Sequence, residues 1–129
     1  MNDHAHLERK AASNALELMH RWPWPVHVGG GGERHAGADR WCRLLASIAR
    51  DETAHLAQVL RLLTARGGHL ERSHTNAYAS ALRQHVRRGL GMSELVDRLL
   101  VSALIEARSG ERFGLLAAHA DEPELRRFY

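Results

Sequence analysis

Four residues of the 129-residue sequence have types and spacings that suit metal binding: Glu8, Glu52, His55 and Glu106. Glu52 and His55 are three residues apart, so a helix would place both side chains on one face. Carboxylate oxygens together with an imidazole nitrogen suit iron, and manganese accepts the same set. Helical bundles that hold two irons use a Glu from each of two helices and a Glu-x-x-His from each of the other two. The four residues therefore predict most of a carboxylate-bridged di-iron site.

Each acid interrupts an apolar stripe on a predicted helix, where positions three and four residues apart face the core. The stripe of the first helix contains small residues around the acid: Ala5, Glu8, Ala12, Ala15 and Met19. That of the second is mostly large and apolar: Trp41, Leu45, Ile48, Glu52, His55, Val59 and Leu62. In the last long helix, serines flank the acid: Leu95, Leu99, Ser102, Glu106, Ser109, Phe113 and Leu116. A buried carboxylate is costly unless it is paired, so three acids in one core favour a cation between them.

The pair formed by Glu52 and His55 also has an ordinary structural interpretation. A Glu-x-x-His spacing arises often by chance, and Glu52 would pair with Arg50 or Arg61 on the surface if the stripe were displaced by one position. His55 would then be a hydrogen-bonded histidine of the core. The coincidence of three acids in the middle of three stripes favours the metal interpretation.

Glu111 is the alternative to Glu106 on the last long helix. It lies beside Arg112 and on a different stripe, so we interpret it as a residue of the surface or one that supports a ligand. Ser102 and Ser109 lie about one turn on either side of Glu106 and are candidates for the same supporting role.

Five helical segments are predicted from apolar periodicity, caps and breakers. They cover residues 3–21, 39–66, 73–88, 93–119 and, as an incomplete helix, 121–129. Residues 22–38 contain two prolines and four consecutive glycines, which predict a flexible loop. The glycines lack the Gly-Lys-Ser/Thr ending of a phosphate-binding loop. An aromatic content of 5% and many Ala, Leu and Arg residues favour an all-α fold, and the length favours one domain over residues 1–129.

The formal net charge is +3, and because Lys10 is the only lysine, the positive charge is almost entirely arginine. Arginine suits bidentate phosphate contacts, although a solvated basic surface is the alternative. The single cysteine, Cys42, excludes an internal disulfide and fits a reducing cytoplasm. No apolar run approaches the ~20 residues of a membrane span, and the first ten residues are too polar for a signal peptide. We therefore expect a cytoplasmic protein that does not enter a membrane.

Several segments resemble the MiaE family of tRNA-modifying di-iron hydroxylases. The first helix of that family is similar to DHA at residues 3–5 and ERKAA at residues 8–12. Its second is similar to IARDETAH at residues 48–55 and QVLRLL at residues 58–63. The most specific similarity is LVDRLL at 95–100, ALIEARS at 103–109 and ERF at 111–113, and the closing ELRRFY at 124–129 is also similar. The resemblance covers nearly the whole chain apart from the glycine-rich loop.

The resemblance implies a ferritin-like bundle of up-and-down helices with a crossover helix. It also implies O2-dependent hydroxylation of the isopentenyl group of a modified adenosine in tRNA, with an electron donor. Position by position, the iron ligands of the family fall on Glu8, Glu52, His55 and Glu106. The family has a second Glu-x-x-His beyond the position of Tyr129. We therefore expect a chain shortened at both ends that lacks the fourth main helix and holds an incomplete di-iron site.

Two other functions remain open at this point. One is a metal-binding ferritin-like bundle without hydroxylase activity. The other is a structural module that forms a homo-oligomer, because an uncovered apolar groove favours self-association. For tRNA, the candidates for phosphate contacts are Arg83, Arg87 and Arg88 around the short helix, with a solvated face as the alternative.

Overall fold

The computed structural model describes residues 1–23 and 31–129, with side chains from residue 37 onward in the second stretch. Its helices are α1 (Asn2–Arg21), α2 (Gly31–Ala65), α3 (Ala77–Gln84), α4 (Met92–His119) and α5 (Pro123–Phe128). These two stretches contain no strand, so the all-α prediction is confirmed. None of the helices described is both long and apolar enough to span a bilayer.

The chain forms two compact units, Met1–Thr75 and Asn76–Tyr129. In the first unit α1 packs against α2. The buried face of α1 carries Ala5, Ala12 and Ala15, whose small side chains leave room for close approach of a neighbouring helix. The expected single domain over residues 1–129 stays a prediction.

The second helix begins earlier than predicted. It starts at Gly31, so residues 31–38 of the expected loop are helical. The sequence offers a reason, because Glu33, Arg34 and Ala36 are good helix formers that extend a helix toward its N-terminus. Residues 24–30 of the predicted loop lie outside the described residues.

Two side chains of α2 fasten the chain that leaves α1. The indole Nε1 of Trp41 donates a hydrogen bond of 2.7 Å to the carbonyl oxygen of Trp22. The thiol of Cys42 contacts the carbonyl oxygen of Pro23 at 3.5 Å. The C-terminal end of α1 is therefore held directly against α2.

The N-terminal end of α1 is held by residues 69–75, which we call the return segment. The amide of Asn2 donates to the carbonyl oxygen of His69 at 3.0 Å and accepts from the backbone N–H of Glu71 at 3.2 Å. Asp3 pairs with the imidazole of His74. Lys10 donates to the carbonyl oxygen of His74 at 3.1 Å. The first three turns of α1 are therefore fixed in place by hydrogen bonds that do not involve Glu8.

In the second unit α3 is shorter than the predicted helix at 73–88. Asn76 is its N-cap, and its side-chain oxygen accepts a hydrogen bond from the N–H of Ala79 at 2.9 Å. The helix ends at Gln84, and the loop that follows contains two glycines in the left-handed region, with φ of 75° at Gly89 and 54° at Gly91.

The loop at residues 85–91 is attached to the first turns of α4 by two carboxylates. The buried Glu94 accepts from the N–H of Gly89 at 2.7 Å and from Arg98 at 2.8 Å. Asp97 accepts two guanidinium hydrogen bonds from Arg87, at 2.7 and 2.8 Å, and a third from its backbone N–H. This loop is therefore an ordered part of the second unit.

Candidate metal centre

Three potential metal ligands converge in the first unit: Glu8 on α1, and Glu52 and His55 on α2. One ligand atom of each lies within 4.8 Å of the others. Nδ1 of His55 is 3.7 Å from Oε2 of Glu8 and 3.9 Å from Oε2 of Glu52. Both separations exceed a hydrogen bond, whereas two atoms that each lie ~2.1 Å from one ion are at most ~4.2 Å apart. The spacing of His55 from the two carboxylates therefore fits a shared cation, while Glu52 also forms a hydrogen bond with Glu8.

The two helices hold these side chains at different depths. Glu8 lies within the alanine stripe of α1 and is only 7% exposed. Glu52 is half-buried, and the imidazole of His55 is 57% exposed. The cluster therefore extends from the interior of the helix pair to its surface, with His55 on the solvent side.

The buried carboxylate of Glu8 is an anion despite its burial. Burial alone raises the pKa of Glu8, but hydrogen bonds from His4 and Glu52 and the electrostatic influence of His4 and His55 lower it. The net effect is a pKa below the ordinary glutamate value. A buried anion beside a second carboxylate and an imidazole is the donor set that a divalent cation stabilises.

Arg50 does not pair with Glu52, which was one alternative that the sequence left open. Its guanidinium lies 2.9 Å from Oδ1 of Asp51, the neighbouring residue on the surface of α2. Glu52 instead faces Glu8 and His55. This observation favours the metal interpretation of Glu52 over a surface pair with Arg50.

His4 is a neighbour of the cluster to which the sequence prediction assigned no role. It lies one turn before Glu8, and its Nε2 is 2.6 Å from Oε1 of that carboxylate. The four-residue spacing of a His and a Glu was the available signal, but the same spacing occurs in ordinary surface pairs.

His6 is almost fully buried on the side of α1 that faces the return segment. Its ring stacks on that of His74, with centroids 4.9 Å apart and planes 7° from parallel. Burial lowers the pKa of His6, and the nearby charge of Arg9 lowers it further. Neither ring nitrogen has a well-formed hydrogen bond to the described residues. His6 is therefore a neutral packing residue between α1 and the return segment.

The remaining predicted site residues lie in the second unit. The side chain of Glu106 is exposed on α4, as is that of Glu111. Ser109 is partly buried, and the hydroxyl of Ser102 donates to the carbonyl oxygen of Arg98 at 2.9 Å. The structure thus brings together three of the four predicted ligands, and the roles assigned to Glu106 and to these supporting residues stay predictions.

The three arginines predicted to contact tRNA are all exposed, but they differ in what they bind. Arg87 forms the two-pronged ion pair with Asp97, and this pairing raises the pKa of Arg87 and lowers that of Asp97 to about 2. Arg83 is exposed in the last turn of α3, and Arg88 is exposed in the loop at residues 85–91. Arg83 and Arg88 are therefore better placed than Arg87 to meet a phosphate.

Comparison with protein families gives a match over the whole chain. The family model of MiaE, described as tRNA-(MS[2]IO[6]A)-hydroxylase, matches residues 1–129. A tRNA 2-(methylsulfanyl)-N(6)-isopentenyladenosine(37) hydroxylase of Pseudomonas putida is 41% identical over 127 residues, which are 98% of this chain and 55% of that protein. An enzyme of the same name from Salmonella typhimurium is 35% identical over 95 residues, 70% of this chain and 34% of its own length. The chain thus spans about half the length, or less, of these curated relatives.

A solved structure supports the same assignment of fold. A Synechococcus protein described as having aldehyde deformylating oxygenase activity superposes with a TM-score of 0.81 at 39% identity, covering 99% of this chain and 57% of that one. This similarity confirms the ferritin-like fold expected from the sequence. Together with the match over residues 1–129, it shows that the chain belongs to the MiaE family.

Proposed function

We propose that this chain takes part in O2-dependent hydroxylation of the isopentenyl group of a modified tRNA adenosine, as an iron-binding part of a non-haem di-iron monooxygenase. The observation that carries the proposal is the convergence of Glu8, Glu52 and His55 in a chain of the MiaE family. The names of its relatives in Pseudomonas and Salmonella support the same substrate class.

The residues present fit iron by their chemistry. Glu8 supplies a buried carboxylate, Glu52 a second carboxylate and His55 a nitrogen donor, and Glu106 is proposed as a further ligand from its position in the family motif. When bound, iron supplies the redox chemistry by which O2 hydroxylates an unactivated carbon. Manganese fits the same donors, and a competition titration between the two metals distinguishes them.

The protein's own contribution is to hold the ligands and to limit water on one side of the site. Ala5 and Ala12 border Glu8 on α1 and are buried, so they shield the inner side of the cluster from water, where His4 is the polar contact of Glu8. The exposed imidazole of His55 leaves the other side open to solvent in this chain. An open side is where substrate, or a further protein element, would have to exclude water.

The proposal requires two partners. Hydroxylation by O2 places one oxygen atom in the product and reduces the other to water with two electrons and two protons, so an electron donor is needed. The second partner is tRNA, for which Arg83 and Arg88 are the proposed phosphate contacts. Arg87 is proposed to hold the loop at residues 85–91 in place through Asp97.

A second copy of the chain is a further proposed partner. On α4, Val96, Leu100 and Leu104 are spaced by four residues and are 46%, 59% and 49% exposed. Such an apolar stripe favours self-association. Sedimentation velocity tests it: we expect oligomers that Leu100→Glu dissociates, and a monomer at all concentrations would contradict the proposal.

An anaerobic Fe(II) titration of the purified chain tests the proposed function. We expect the purified chain to bind Fe(II). Two irons per chain, with conversion of isopentenylated tRNA to its hydroxylated form when a reductant and O2 are supplied, would support hydroxylation by this chain alone. One iron or fewer per chain without conversion favours the metal-binding bundle that lacks hydroxylase activity. Absence of binding excludes both metal functions. Glu8→Gln should abolish tight Fe(II) binding, whereas the control Glu17→Gln, an exposed change on α1, should leave it unchanged.

A further inference from the structure

The two oxygen atoms of Glu8 have different neighbours. Oε1 is 2.6 Å from Nε2 of His4, and both side chains are buried. Oε2 points the other way and is 3.7 Å from Nδ1 of His55. The carboxylate is therefore held in one orientation, with one oxygen on His4 and the other on the side of α2.

The chemistry of the pair assigns the hydrogen. An ionised carboxylate only accepts hydrogen bonds, so Nε2 of His4 must donate to Oε1 of Glu8. Hydrogen bonds of this kind, with a charged partner and a short separation, are stronger than neutral ones and fix the geometry of both groups. Rotation of the Glu8 carboxylate would break this bond inside a buried site.

We propose that His4 is a positioning residue for metal binding: it occupies Oε1 of Glu8 so that Oε2 alone is directed toward Glu52 and His55. The inference rests on the metal site proposed above and adds that Glu8 binds the ion through one oxygen. Residues that orient a ligand in this way commonly change metal affinity by roughly 10–100-fold when they are replaced.

His4 is not needed to attach the start of α1 to the rest of the first unit. The start of α1 is already fixed by the bonds of Asn2 with His69 and Glu71 and by the pair of Asp3 with His74. Loss of His4 therefore leaves the helix attached to the return segment. The expected consequence is a local one, at the carboxylate of Glu8.

The test compares Co(II) binding, as an oxygen-stable probe for Fe(II), in four forms of the chain. These are the wild type, His4→Leu, His4→Gln and the control His20→Leu, an exposed histidine of the same helix. Gln retains an N–H donor that reaches a Glu four residues on. Affinity is measured by titration, ligand geometry by the visible absorption of bound Co(II), and folding by circular dichroism.

We expect His4→Leu to weaken Co(II) binding by roughly 10–100-fold and to alter its absorption. His4→Gln should restore both to near wild type, and His20→Leu should leave both unchanged. Equal affinity and spectra in wild type and His4→Leu would overturn the inference while leaving the metal site intact. If His4→Leu does not fold, the inference is tested on His4→Gln. A folded His4→Gln that has lost Co(II) binding would overturn the inference, and a His4→Gln that retains Co(II) binding would support it. Absence of binding in the wild type would overturn the metal site and the inference together.

Discussion

Replacement of Glu52 by alanine separates a metal ligand from a structural ion pair. Oε2 of Glu52 is 3.9 Å from Nδ1 of His55, whose imidazole is 57% exposed, so solvent screens this pair and it contributes about 0–1 kcal/mol. Removal of Glu52 also takes the second carboxyl group away from Glu8, which offsets the loss of the hydrogen bond between the two side chains. We therefore expect Glu52→Ala to change the free energy of unfolding of the metal-free chain by about 1 kcal/mol or less, in either direction.

The metal-bound chain should respond very differently. An ion that binds only the folded state adds about 2.7 kcal/mol of stability when its concentration is 100 times the dissociation constant. Wild type should gain this amount from Fe(II) in anaerobic urea unfolding followed by circular dichroism, and Glu52→Ala should gain none. Asp51→Ala is the matched control, because Asp51 is the preceding residue of α2, is 53% exposed and pairs with Arg50. It should retain the full gain.

The opposite pattern would refute this reasoning. If Glu52→Ala destabilised the metal-free chain by more than about 2 kcal/mol, and wild type gained nothing from Fe(II), the carboxylate would be part of a structural network. The cluster of Glu8, Glu52 and His55 would then be an ordinary set of hydrogen-bonded and charged side chains between α1 and α2.

Other residues give independent tests. Glu106→Ala should weaken Fe(II) binding but leave the metal-free chain as stable as wild type, because the side chain is exposed; calorimetry and urea unfolding measure the two effects. Arg88→Ala should lower the salt slope of tRNA binding by about 1, whereas Arg87→Ala should speed hydrogen exchange in the loop at residues 85–91. The pKa of Asp97 is lowered from 3.8 to about 2, so its stabilising effect is complete above about pH 4 and is lost as the pH falls toward 2. Asp97→Asn should remove that pH dependence from the unfolding curve.

The buried face of the first helix was predictable over most of its length, although Leu18 is buried there instead of the predicted Met19. Ala5, Glu8, Ala12 and Ala15 follow the helical period, and all four are buried in the structure. The period determines which side chains share a face, and small side chains on that face favour a closely packed neighbour. The burial of Glu8 could therefore be read from the sequence.

In α4 the apolar stripe is less buried than its periodicity predicts. Leu95 is buried as expected, but Leu99 and Leu116 of the same stripe are 37% and 39% exposed. Apolar periodicity identifies the apolar face of a helix, whereas its burial depends on which other elements pack there. Glu106 lies on this stripe, so its depth could not be predicted from the pattern.

Two other features depended on contacts that periodicity does not encode. The start of α3 is set by the cap of Asn76 on Ala79, whereas the predicted helix began at residue 73. The role of His4 depends on the burial of its contact with Glu8. In both cases the residue type permits the interaction, and only the packed structure selects it.

The most direct test of the central claim is a crystal of the chain grown with Fe(II) under anaerobic conditions, with anomalous data collected at the iron edge. We expect an iron peak in contact with Oε2 of Glu8, a carboxylate oxygen of Glu52 and a ring nitrogen of His55. An ordered cluster of these three side chains without an iron peak, or iron bound elsewhere on the chain, would contradict it.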